Sequence, residues 1–142
     1  MFTKIIVCFA LLASVLGEHA FPYTSIATNC MKELDIKEET IRKLVPEKET
    51  IPMEDETVLK FFECTFRDFL DDKKELVAND DFRKYVIDAF KIRMKSFTME
   101  LVKLVADDCI DHCKNIKGDT KGIVGVKIMN CLKDRFHVYI EV

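Results

Sequence analysis

Residues 109–131 read CIDHCKNIKGDTKGIVGVKIMNC, and the fold is decided there. Cys109 and Cys113 stand one helical turn apart and face the same partner. They continue an apolar stripe through Leu101, Leu104 and Val105. Gly118-Asp119-Thr120 stops one helix and caps the next, which the pattern places from about Lys121 to Asp134. Ile123, Val124, Val126, Ile128, Met129 and Leu132 lie nearly all round that helix, and a helix apolar on every side belongs in the middle of a bundle. Cys131 follows a turn short enough to fold it back against Cys109 and Cys113.

Upstream the helical period persists. Phe82, Val86, Phe90, Met94 and Phe97 recur by threes and fours from a start at Asp80 or Asp81, with a break expected near Lys95–Ser96. Asp55 caps a strong helix through Val58, Leu59, Phe62, Phe66, Phe69 and Leu70, and Asp71–Lys74 reads as a charged turn. Asp35 followed by Glu38 resembles a capping pair opening a short helix through Ile41, Leu44 and Val45. Glu47–Met53 reads as a connector, and Pro22 to Leu34 as a first helix carrying Ile26, Cys30 and Leu34 on one side. With 11 Phe, no Trp, 49% apolar residues and only 4 Gly and 3 Pro, the chain has a large core and few breaks for a sheet. The fold class is all-α.

The start of the chain reads as an export signal. Lys4 precedes an apolar run from Ile5 to Leu16 that is too short to span a bilayer, and small residues at Val15 and Gly17 place cleavage after Gly17. Residues 1–17 are the expected signal peptide, and 18–142 a single secreted domain with no membrane span. The net charge is −3, and mild acidity without a basic block argues against nucleic acid as a partner.

Export makes the cysteines a framework. Cys30, Cys64, Cys109, Cys113 and Cys131 remain once Cys8 is removed, an odd set that suggests two disulfides and a spare thiol. Cys131 pairs with one of Cys109 and Cys113, leaving Cys30 for Cys64, although spacing does not establish the connectivity. Each bridge would contribute about 3–4 kcal/mol through the chain entropy it removes.

A secreted, acidic, helical chain with these cysteines resembles the insect odorant-binding protein family, the pheromone and general odorant binders. Cys64, in LKFFECTFRDFL, looks like the family's third cysteine, and the second cysteine's place is taken by Lys60. Cys131 looks like the sixth, and the fifth's place is taken by Gly122. Both partners of one family disulfide are missing together, the pattern of the minus-C subgroup. The resemblance, covering roughly Pro22 to Phe136, implies pairs Cys30–Cys64 and Cys113–Cys131 with Cys109 free. It also implies about six helices in a compact bundle around an internal apolar cavity.

What the resemblance implies for function is a secreted carrier that binds and solubilises small hydrophobic ligands such as odorants, pheromones or fatty acids in an extracellular fluid. Candidate ligand-binding residues are Phe61, Phe62, Phe66, Phe69, Phe82, Phe90, Met94, Phe97, Leu101, Val126, Met129, Phe136 and Tyr139. An aromatic stripe at helical spacing is also what a plain core looks like. The partners implied are a small apolar ligand and, indirectly, a membrane receptor, with the protein a monomer or weak homodimer; an exposed Cys109 would permit an intermolecular disulfide. The alternative is a secreted signalling or salivary effector acting through its surface, with a solid core. A saposin-like lipid module fits five unevenly placed cysteines poorly.

The chain is not expected to be an enzyme, and no cofactor or metal is expected. Cys109-Ile-Asp-His112-Cys113 has a passing look of a secreted phospholipase helix, but Cys113 stands where an aspartate should follow the histidine. No nucleophile elbow or phosphate-cradling loop appears. Two cysteines and a histidine make a poor zinc site when one thiol is oxidised. The pairs Asp71-Asp72, Asp80-Asp81 and Asp107-Asp108 read as solvated helix ends.

After the last helix, Phe136, Val138, Tyr139, Ile140 and Val142 form an apolar tail, about 136–142, that would be sticky if left in water. It is expected to fold back over the cavity as a lid, with a β-edge or dimer contact as the competing arrangement. His137 would either be a plain exposed histidine or loosen the tail on protonation near pH 6.

Overall fold

The computed structural model describes residues 24–46 and 49–140. The expected signal peptide, Pro22, Glu47 and the last two residues of the tail, 141 and 142, lie outside the described residues. Among the described residues six helices follow in order: α1 (Ser25–Glu33), α2 (Glu38–Leu44), α3 (Glu56–Thr65), α4 (Asp80–Arg93), α5 (Met99–Cys113) and α6 (Lys121–Ile140). Among the described residues the only β pairing is an isolated bridge between Leu70 and Leu76. The chain is an all-α bundle stapled by two disulfides, Cys30–Cys64 and Cys113–Cys131.

Helix starts follow short polar side chains that accept orphan N–H groups. Thr24 Oγ1 accepts from Ala27 N–H (3.2 Å), Asp55 Oδ1 from Val58 N–H (3.1 Å) and Thr120 Oγ1 from Ile123 N–H (3.1 Å). Asn79 and Thr98 do the same for α4 and α5. α4 begins at Asp80, as expected, and Asp80 and Asp81 occupy its first turn, where their charge favours the helix dipole.

Asp35 does not cap α2. It stands at φ 52 just past α1, with its N–H on the Lys32 carbonyl (3.3 Å) and the Ile36 N–H on the Met31 carbonyl (2.9 Å). That is a Schellman ending, in which aspartate tolerates the left-handed conformation. The N-cap of α2 is instead Lys37, whose side chain makes no capping hydrogen bond.

α3 also ends earlier than its apolar period suggests, at Thr65. Asp71 Oδ1 accepts from the Lys73 and Glu75 N–H groups, 2.9 Å each, and Lys74 adopts φ 64. These local bonds offer the backbone an alternative to helix. Phe66, Phe69 and Leu70 are still buried, carried by turns rather than a helical face.

The break between α4 and α5 falls at Met94–Thr98 and includes the expected Lys95–Ser96. On α5 the inward face is Val102, Val105, Ala106, Cys109 and Cys113; Leu104, read as part of the stripe, faces outward at 67% exposure. Cys109 is free and fully buried, so it is not available for an intermolecular bridge.

α6 packs against α3 and α5 from the middle of the bundle. Gly122 and Gly125 permit the approach: a Cβ on Gly122 would stand 2.6 Å from the Leu59 carbonyl oxygen, and one on Gly125 3.1 Å from that of Phe62. The helix continues to Ile140 instead of ending near Asp134, so the apolar tail is a helical extension and not a separate flap. Two residues of the extension explain why: Arg135 Nε donates to Asp108 Oδ2 (2.9 Å) and the Tyr139 hydroxyl donates to the same oxygen. Asp107 meanwhile receives Arg83 of α4 through both oxygens, at 2.6 and 3.1 Å. Asp107 and Asp108 are therefore ties from α5 to its neighbours, not a solvated helix end.

Candidate functional site

Five segments leave a cavity of about 140 Å³ between them. α1 contributes Ala27 beside its cap Thr24, α2 and the chain after it Ile41, Val45 and Pro46, and α3 Phe61, Phe62 and Thr65. α4 lines it with Tyr85, Val86, Ala89, Phe90 and Arg93; α6 with Met129, Leu132, Lys133, Phe136, His137 and Ile140. On both helices these positions recur by threes and fours, so each offers one continuous stripe. An apolar cavity of about this size holds a benzene-sized molecule.

The sequence-derived candidates divide around this cavity. Phe61, Phe62, Phe90, Met129 and Phe136 line it together. Phe66, Phe69 and Phe82 do not; they form an aromatic layer behind the wall, with Phe69 and Phe82 5.2 Å apart and Phe69 5.3 Å from the lining ring of Tyr85. Met94 and Val126 are buried elsewhere in the core. Phe97, Leu101 and Tyr139 are exposed at 41%, 39% and 39% and point away from the cavity.

Residues that sequence reasoning missed supply the polar groups. Thr65 Oγ1 donates to the Phe62 carbonyl (3.2 Å), which leaves its oxygen able to accept. Burial pushes the Tyr85 phenol up to about 12, so at neutral pH it is an O–H donor. Arg93 donates to the Ala89 carbonyl at 3.4 Å. Lys133 Nζ donates to the carbonyls of Pro46 and Glu49, the latter at 2.7 Å. Asn130, three residues earlier, accepts from Ile51 N–H (2.8 Å) and donates to Ile51 C=O (3.1 Å). The connector after α2 is thus tied to α6 beside the cavity, and its Val45 and Pro46 form part of the wall. The i, i+3, i+4 spacing of Met129, Leu132, Lys133, Phe136, His137 and Ile140 was the available signal, obscured by ending the helix at Asp134.

Two other groupings offer less. A depression of about 480 Å³ beside Met53 and His112 is open and edged by Lys127, Asp134 and Arg135. Cys30, Glu33 and Cys64 bring their ligand atoms within 4.8 Å of one another, but both sulfurs are committed to the disulfide.

Among known proteins, a family model described as the PBP/GOBP family matches residues 20–135. No curated protein and no solved structure matches the chain.

Proposed function

We propose, from the premise that the chain belongs to the PBP/GOBP family of insect odorant- and pheromone-binding proteins, that it is a secreted carrier of small hydrophobic ligands in an extracellular fluid. Members of this family are carriers, not enzymes, and are secreted. The observation that carries the reading is the cavity itself, walled by Phe61, Phe62, Phe90, Met129 and Phe136 in a bundle stapled by two disulfides. No helix among the described residues is long and apolar enough to cross a membrane.

Affinity would come from moving apolar surface out of water, about 25 cal/mol per Å². Burying about 300 Å² of ligand gives about 7 kcal/mol before ordering costs, which places binding on a micromolar scale. Met129 and the aromatic walls suit ligands of irregular shape. We further assign the minus-C arrangement: Lys60, ion-paired with Glu56 at 3.2 Å, and Gly122, close against Leu59, hold the places of the family's second and fifth cysteines.

The test is titration of an environment-sensitive naphthylamine dye into the delipidated, oxidised mature protein. Saturable one-to-one uptake with displacement by terpenoids, fatty acids or aromatic volatiles is expected. A folded, disulfide-bonded sample that takes up no dye would overturn the carrier reading and leave an effector acting through its surface.

A further inference from the structure

Two buried residues that carry hydroxyls, Thr65 and Tyr85, line the cavity at 3% and 8% exposure. They are not equivalent. The Thr65 proton is committed to the Phe62 carbonyl at 3.2 Å. The Tyr85 hydroxyl has no hydrogen-bond partner among the described residues. Buried hydroxyls are normally paired, and one left unpaired carries a desolvation cost that an acceptor would offset.

The Tyr85 ring is held by the aromatic layer behind the wall. Phe69 stands 5.3 Å from it, centroid to centroid, Phe82 6.1 Å with the ring planes 27° apart, and Phe66 6.2 Å edge-on. None of those three rings lines the cavity, so Tyr85 stands between that layer and the void. Fixing the ring fixes the phenol oxygen, and only its proton still turns. Much of the remaining wall is carbon: Phe61, Phe62, Val86, Ala89 and Leu132 offer no hydrogen-bonding side chain.

We propose that the cavity selects small neutral molecules with an apolar body and a carbonyl oxygen, and that Tyr85 donates the hydrogen bond that sets them apart from hydrocarbons. The inference rests on the carrier reading and narrows it. The body of a ketone, aldehyde or ester lies against the carbon wall, and its oxygen accepts from Tyr85. A hydrocarbon of the same shape gains the apolar contacts but leaves the phenol unpaired. A site that hydrogen-bonds one group discriminates against the analogue lacking it, because its own buried polar atom is then stranded. The donor is already in place, so little conformational freedom is lost when the bond forms.

The experiment is displacement of the bound naphthylamine dye by acetophenone and by ethylbenzene, on the wild type and Tyr85→Phe. The two compounds share a shape and differ in the carbonyl, and the substitution removes the hydroxyl while keeping the ring. Ethylbenzene leaves water more readily, so the readout is the ratio of the two displacement constants in each protein. Tyr85→Phe is expected to move that ratio about five- to tenfold against acetophenone, the scale of one neutral hydrogen bond. Its melting temperature is expected at or above that of the wild type, since no internal partner is lost; a marked loss of stability would show the hydroxyl spent on the fold and overturn the inference. An unchanged ratio in a folded variant that still takes up dye would overturn it and leave the carrier intact. Infrared spectra of isotope-labelled acetophenone on the wild type give a check that needs no variant. The bound carbonyl band is expected at lower frequency than in a hydrocarbon solvent, and an unshifted band would overturn the inference. Absence of dye uptake in the folded wild type would instead remove the carrier reading, and this inference with it.

Discussion

The ring of Phe136 near the end of α6 packs 4.5 Å, centroid to centroid, from the ring of Phe90 on α4, and both line the cavity. This contact joins the helical extension to the rest of the bundle and forms part of the cavity wall. Truncating a buried phenylalanine typically costs about 3–5 kcal/mol, because the apolar transfer is lost and a void remains. Phe136→Ala is therefore expected to lower the denaturant midpoint by a corresponding amount. Phe136→Leu should cost much less. Equal, small losses for both would show that the ring is not packed as described.

Gly122 is a close-approach glycine. A methyl group there would meet the Leu59 backbone oxygen at 2.6 Å, and backbone does not rotate aside. Gly122→Ala gains about 1 kcal/mol of helix propensity but is expected to lose more, about 1–3 kcal/mol, through overpacking. At Gly118 the nearest atoms are side-chain methyls of Val124 and Ile123, at 3.0 and 3.1 Å, so Gly118→Ala should be milder. Urea denaturation of the two variants checks the order; stabilisation by Gly122→Ala would contradict the α3–α6 packing.

The free thiol of Cys109 is fully buried, and that burial, helped by Asp108, pushes it up to about 12. The thiolate is the reactive form. Iodoacetamide at pH 8 is expected to leave the native protein unlabelled and to add one group per chain in denaturant. Rapid labelling of the folded protein would contradict the placement of Cys109.

Asp108 holds the end of α6 through Arg135 and Tyr139, whose hydrogen bonds keep its carboxyl below the ordinary carboxylate range. Its contribution to stability is thus present above the unfolded carboxyl value, about pH 4, and is lost as pH falls through the lower folded value. Asp108→Asn should melt below the wild type at pH 7, with the gap closing as the pH is taken well under 4. Thermal melts across that range provide the check, and a gap independent of pH would show that the carboxylate charge plays no part.

Much of the scaffold was legible because its signals are local. Asp55 and Thr120 announce their helices by capping chemistry, and Gly118-Asp119-Thr120 marks the turn that returns Cys131 to Cys113. What was not legible depends on partners distant in sequence. α6 reaches Ile140 because Arg135 and Tyr139 find Asp108 on another helix, and nothing near residue 135 signals that. The same error hid part of the cavity, since His137 and Ile140 join its wall only because the helix continues. Candidates chosen for apolar character also conflated two layers. Phe61 and Phe62 face the cavity, whereas Phe66, Phe69 and Phe82, equally aromatic, pack behind it. Periodicity identifies an inward face but not whether that face meets a void or another side chain.

The most direct test of the account fills the cavity. Ala89 lies on the α4 lining stripe between Val86 and Arg93, and Ala89→Phe would place a ring where the ligand is proposed to sit. Dye titrations of the wild type and of Ala89→Phe, with helicity and disulfides checked in both, should show one saturable site in the wild type and its loss in the variant. Undiminished stoichiometric uptake by a correctly folded Ala89→Phe protein would contradict the assignment of this cavity as the binding site.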